Sequence, residues 1–390
     1  MIQLKLYSIY WMLYKFGFTC TSFVYTARLV EKFGFTNQQV MSLNFIYFTS
    51  SLLLEVPTGI ISDRFGAKKA ISLGAFCWFL GAVGYTYGSN YYHFALCEIV
   101  CAIGAAFLSG ASDCWVGGHF NDYQKLVTYR SNLNQKIRIL SVILTLAVGL
   151  YADKASLDFP YYIAGLMFLM SFVVTLLFDN HVIDKEHKIP SFNQSLKFYF
   201  SNIRLSSLGL LALSNMLWLA PVFMLWGPVM RQDMQLNTSW MAIGSSVLSI
   251  GMVAGGIMER KLETILNRNK YLTEIALQVL KGISIVLLAV NIKSGIGVFL
   301  LCFFVVEIFH EASMQFHFNH VHKFYIGRPD EATIGSIHSL LGRMGGGLGN
   351  LCLGYFADSY GRQYSWIISG VMMACTAIII YFTVRTVEKH

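Results

Sequence analysis

The sequence predicts an all-α membrane protein, with twelve transmembrane helices in two pseudo-symmetric six-helix bundles. Three observations lead there. Of 390 residues, 55% are hydrophobic and only 13% charged, where a soluble globular chain carries about 25% charged residues. Mean hydropathy is +0.54. The apolar runs leave room for about twelve spans of ~20 residues joined by short links. The third observation is that the two halves of the chain repeat one another.

The spans are expected at roughly 6–29, 38–61, 70–88, 91–116, 133–152, 159–179, 205–230, 239–258, 273–292, 295–318, 333–356 and 364–384. The first begins after a single lysine, Lys5, and runs apolar to about Val30 without a small-residue cleavage site. It therefore reads as a spanning helix and not as a cleaved signal. The only long link, about 180–204, holds Asp184, Lys185, Glu186, His187, Lys188 and Pro190, then an amphipathic stretch to Arg204. It divides an N-terminal bundle (1–180) and a C-terminal bundle (205–390) across a cytoplasmic linker (181–204).

Net charge is +8, but the basic residues sit at span ends and form no single patch, which argues against a nucleic-acid partner. Placing the N-terminus in the cytoplasm puts about nineteen lysines and arginines inside against six outside. That bias matches the positive-inside rule, and an even span count places both termini in the cytoplasm. The eight cysteines are scattered through apolar stretches, as at Cys97, Cys101 and Cys302. They lack the paired spacing of a metal site or a disulfide framework and read as small buried hydrophobes.

The repeat is specific. Gly149-Leu150-Tyr151-Ala152-Asp153 returns as Gly354-Tyr355-Phe356-Ala357-Asp358, and Arg138 precedes the first by the same 15 residues that separate Arg343 from Asp358. Gly165 and Gly370 keep the offset, and Gly59 to Arg64 has a weaker echo in Gly255 to Arg260. Several matches in one order indicate a duplicated six-helix unit, a common plan among transporters.

The most specific motif is Glu55-Val56-Pro57-Thr58-Gly59-Ile60-Ile61-Ser62-Asp63-Arg64-Phe65-Gly66-Ala67-Lys68-Lys69, between the second and third spans. Gly59 is expected to let neighbouring helices approach closely, and Gly66 to permit a tight turn. Asp63 is placed to meet the positive end of another helix. Lys68 and Lys69 suit anionic lipid. A basic loop obeying topology alone explains the lysines but not Gly59, Asp63 and Gly66 together. This stretch resembles the signature of the major facilitator superfamily, and the Ser109 to Trp115 and Ala332 to Ser336 stretches resemble its bacterial drug-efflux-like members.

That resemblance implies a secondary transporter of alternating access. Asp63 would latch the cytoplasmic side against the start of the eleventh span, and Gly59, Asp63, Arg64, Gly66 and Lys68 would form the gate. Two positions depart from the family pattern. The fifth span lacks the antiporter run and reads Val148-Gly149-Leu150-Tyr151-Ala152-Asp153. The fourth carries Glu98 where an arginine is usual.

Spans one, four, seven and ten would line the central cavity. Ionisable groups inside a bilayer are costly and mark function by default. Lys15 lies mid-span, about 15 Å from an interface by helix rise, among Trp11, Tyr14 and Phe18. Glu307, His310 and Glu311 share one helical face by their i, i+3, i+4 spacing and form either a proton- or substrate-handling cluster or a static hydrogen-bonded pack. Arg343 and Arg138 either pair with carboxylates or bind an anionic substrate. Asn215 and Trp218 are candidate cavity lining. Lys281 is expected at the periphery, snorkelling. His317, His320 and His322 lie toward the cytoplasmic end and are not read as a metal site.

The expected function is proton-coupled movement of a small molecule across the inner membrane by a monomer, with export of a drug-like or amphipathic solute leading. An anionic metabolite or siderophore is the alternative, motivated by Lys15 and Arg343. A non-transporting receptor or scaffold is a third reading, opposed by the Asp63-Arg64 gate. The partners are the solute, protons and membrane lipid, with no cofactor, no metal and no enzyme motif such as a phosphate loop.

Overall fold

The computed structural model describes residues 2–109, 111–120, 122–179, 192–265, 270–326, 328 and 330–387. These residues fold into helices: α1 (Ile2–Ser22), α2 (Tyr25–Phe33), α3 (Asn37–Phe65), α4 (Ala67–Tyr87), α5 (Tyr91–Leu108), α6 (Ala111–Gly117), α7 (Tyr123–Ala152) and α8 (Phe159–Leu176), then α9 (Phe192–Ser201), α10 (Ile203–Pro228), α11 (Thr238–Ile265), α12 (Lys270–Val290), α13 (Ile296–His322), α14 (Glu331–Tyr360) and α15 (Arg362–Val387). Twelve have 18 residues or more. Nine of the described helices are both long and apolar enough to cross a membrane.

The breaks follow local chemistry. The expected first span divides into α1 and α2. The hydroxyls of Thr19, Thr21 and Ser22 turn back onto the carbonyls of Lys15, Phe18 and Thr19 at 2.9–3.1 Å, and such back-bonding competes with the helical ladder. The expected fourth span divides after Leu108 into α5 and α6. After Pro228, α10 continues as a π turn, Val229–Asp233. Pro221 and Pro228 lack the amide donors that a regular helix needs. The start of α3 is fixed by a reciprocal cap between Thr36 and Gln39.

The chain divides into two compact units, Met1–Lys185 with Met230–Ser249, and Glu186–Val229 with Ile250–His390. In the first unit, α1 packs on α7 and α8, and α4 on α5 and α8. In the second, α10 packs on α14 and α15, and α12 on α13 and α15. The same four pairings in the same order express the duplication at the level of packing. The first unit's core is aromatic: Trp115 is 1% exposed and stacks on Phe178 at 4.2 Å and on Tyr7 at 5.8 Å. In the second, Tyr199 of α9 joins Leu205, Leu208, Ile275, Ile334 and Ile337 in an apolar cluster. Large aliphatic side chains such as Leu96, Ile143, Val173 and Ile379 stay exposed, as expected where the surrounding solvent is lipid.

Candidate functional site

The second unit gathers ionisable side chains that hydrophobic burial alone would exclude. On α12, Glu274, Gln278 and Lys281 recur at i, i+4 and i+7, and all three are buried. Lys281 is 0% exposed, so the expected snorkelling position is corrected. Its ammonium donates to Asn215 Oδ1 at 2.5 Å and to Ser313 Oγ at 2.7 Å. Ser313 in turn donates to the His310 carbonyl at 3.0 Å, and Asn215 Nδ2 to Met314 Sδ at 3.3 Å. The lysine therefore points into the interior because α10 and α13 present oxygens to it.

Glu307 and Glu311 on α13 are 0% and 8% exposed. They lie under two glycines of α11: a methyl at Gly251 would come within 2.8 Å of Glu307 Cβ, and one at Gly255 within 2.8 Å of Glu311 Cβ. Gln315 Nε2 donates to Glu311 at 2.5 Å. His310 turns to α10, its ring 5.0 Å from Phe223. The three residues thus share a helix face but divide between two neighbours, the acids facing α11 and the histidine α10.

Toward the end of α13 the Glu274 carboxylate accepts from His317 Nδ1 on one oxygen and from His320 Nδ1 on the other at 2.7 Å. His317 Nε2 meets His338 Nε2 of α14 at 2.8 Å, and His338 Nδ1 meets the Tyr199 hydroxyl of α9 at 2.8 Å. No group of three ligating side chains among the described residues has the arrangement of a metal site. The sequence reading missed this cluster. Its available signal was the Glu274/Gln278/Lys281 stripe on an otherwise apolar helix.

In the first unit Glu98 is 6% exposed and accepts from Tyr25 at 2.6 Å and from Tyr85. Arg28 is fully buried, donates through Nε to Asp158 at 2.7 Å and lies 4.4 Å over the Tyr161 ring. Lys15 is half-buried, its ammonium 4.6 Å over the Trp11 ring. Arg343 and Trp218 are half-buried on α14 and α10.

In the gate motif, Gly66 caps α3 and opens α4 with φ +87° and ψ 151°, its N–H on the Ser62 carbonyl, as the turn expectation requires. Gly59 is exposed, and a methyl there would meet nothing within 4 Å among the described residues. A close approach occurs at its repeat counterpart Gly255. Arg64 is exposed and Lys68 half-buried. The side chain of Asp63 lies outside the described residues.

An all-helical, duplicated membrane fold with buried acids and bases belongs to the class of multi-pass membrane transporters. The chain belongs to the Major Facilitator Superfamily, whose profile matches residues 8–321. It is 21% identical to the MFS-type transporter YxaM of Bacillus subtilis over 87% of this chain and 86% of that one. It is 20% identical to an MFS-type transporter of Methanocaldococcus jannaschii over 42% of each chain, so the match spans less than half of that relative. Among solved structures, a variant of the nucleoside transporter NupG superposes with a TM-score of 0.80 at 13% identity, covering 97% of this chain and 98% of that one. A bacterial homologue of the lysosomal transporter Spinster, inward-facing and unoccupied, gives 0.75 at 15% identity over 100% and 97%. A POT family transporter bound to 5-aminolevulinic acid gives 0.77 at 13% over 98% and 96%. At such identities the likeness concerns the fold.

Proposed function

We propose that this transporter couples movement of a small solute to protons by alternating access, with the buried acids and bases of α12 and α13 as the coupling site. The supporting observation is the burial of Glu274, Lys281, Glu307 and Glu311 within one unit of a membrane transporter. Charges taken from water are expensive to retain without a task. The proposal places two six-helix bundles, 1–180 and 205–390, either side of the 181–204 linker in the cytoplasmic membrane, with both termini inside and the protein acting as a monomer. The solute is an exported amphipathic, drug-like molecule, and Trp11, Tyr14 and Phe18 around Lys15 supply an aromatic wall for it.

The test uses the purified chain in vesicles with a fluorescent amphipathic dye and an imposed pH difference. The parent concentrates the dye. Glu307→Gln or Glu311→Gln retains dye exchange but loses accumulation against the gradient. If both variants concentrate dye like the parent, these carboxylates do not couple transport. A second reading, transport of an anionic solute, is favoured by Lys15. It lies over Trp11 with no acidic partner among the described residues. Competition of dye movement by an organic carboxylate, abolished by Lys15→Met, would select it.

A further inference from the structure

The histidine cluster has a direction imposed by one carboxylate. With Glu274 ionised, its oxygens only accept, so His317 Nδ1 donates to one and His320 Nδ1 to the other. A neutral imidazole that donates from one nitrogen accepts on the other. With His317 neutral, its Nε2 accepts from His338 Nε2–H across 2.8 Å. His338 Nδ1 then accepts from the Tyr199 hydroxyl, also at 2.8 Å. With both imidazoles neutral, every donor points toward Glu274. The chain of bonds links α9, α14, α13 and α12, and Tyr199 and Glu274 at its two ends are both 0% exposed.

We propose that Tyr199, His338 and His317 form a proton relay that loads Glu274, with α9 as the element that completes it. This deepens, and rests on, the proton-coupled reading above. The transfers balance. Tyr199 takes a proton from a hydronium ion, which leaves as water, and gives its own to His338 Nδ1. His338 passes its Nε2 proton to His317 Nε2, and His317 passes its Nδ1 proton to Glu274 Oε1. One proton enters at the Tyr199 end and Glu274 becomes a neutral acid, while both imidazoles finish neutral with their tautomers reversed. Loading removes the charge from the two bonds by which Glu274 ties α13 to α12. Charge-assisted bonds are roughly twice as strong as neutral ones, so α13 is loosened where it packs on α12. Lys281 stands two turns along α12, about 10 Å by helix rise. Other ionisable groups near the cluster among the described residues include Tyr271 on α12, 6.4 Å from the His320 ring, Tyr381 on α15, stacked on Tyr271 at 6.1 Å, and His322 with Tyr325, their rings 5.3 Å apart.

A sequence made only for packing has no need of the Tyr199 hydroxyl, because phenylalanine fills the same space. The experiment uses the full chain in lipid nanodiscs and time-resolved infrared spectroscopy after a light-released proton pulse. The parent develops the carbonyl band of a protonated carboxyl, and Glu274→Gln removes it. Tyr199→Phe and His338→Gln reach the same final band, slower by at least an order of magnitude. A parent without the band, or rates in both variants equal to the parent's, overturns the relay. Dye accumulation driven by a pH difference is measured in parallel. If the parent shows none while Glu274 still loads through Tyr199, the coupling reading fails and the relay stands.

Discussion

Two tyrosine hydroxyls hold the Glu98 carboxylate, and that arrangement sets what the side chain tolerates. Glu98→Gln keeps an acceptor for Tyr25 and Tyr85 and is expected to melt close to the parent in detergent. Glu98→Leu strands both donors in a buried site, at about 1–3 kcal/mol for each unsatisfied group, and the thermal midpoint falls accordingly. Asp158 precedes α8, outside the spans, with its carboxylate held by Arg28 and Lys32. Burial pushes its carboxyl up, but the bonds from Lys32 and Arg28 outweigh that and hold it below the ordinary 3.8. Its contribution is complete above that value and fades as pH falls through the lowered one. Asp158→Asn leaves the buried Arg28 without its acid, costing about 3 kcal/mol at neutral pH. The variant and the parent then converge in stability under strong acid, which melts recorded across pH check. Lys281→Met removes the donor that buried Asn215 Oδ1 and Ser313 Oγ accept from, at about 1–3 kcal/mol for an unsatisfied buried group, so the expected outcome is a lower midpoint with pH-driven accumulation lost.

At the scale of elements, the duplicated halves use matched positions differently. A methyl at Gly59 on α3 meets nothing within 4 Å among the described residues, whereas Gly255 on α11 sits where a methyl would come within 2.7 Å of the Ile308 carbonyl. Gly59→Ala is therefore expected to raise stability by about 0.5–1 kcal/mol, since alanine favours helix over glycine. Gly255→Ala overpacks the α11–α13 contact and costs about 1–3 kcal/mol. The two variants compared by thermal unfolding give opposite signs. Gly66 at the α3–α4 turn is a different case: its φ of +87° strains any side chain by about 1–3 kcal/mol without a clash.

For the whole molecule, topology is the first quantity to measure. With exposed Cys352 and Cys375 replaced by alanine, cysteines at Ser89 and Ser359, both exposed, are expected to label from outside with a membrane-impermeant reagent. Labelling only after permeabilisation would reverse the orientation. Asp63→Asn is expected to insert normally and to lose most transport, and normal turnover would remove the latch. The sequence by itself determined the helical membrane class, the twelve long helices, the duplication and the Gly66 turn. Hydropathy, spacing and a left-handed φ are properties of a chain segment and are read without knowing its neighbours. It marked Glu307 and Glu311 as intramembrane acids for the same reason. Only the tertiary structure decided that Lys281 faces inward to Asn215 and Ser313, that Glu274 gathers His317, His320 and, through His317, His338, and that a close helix approach falls at Gly255. Those facts depend on which helices pack together. A lysine's i, i+7 place on a helix is the same whether the facing surface is lipid or a pair of oxygens from α10 and α13.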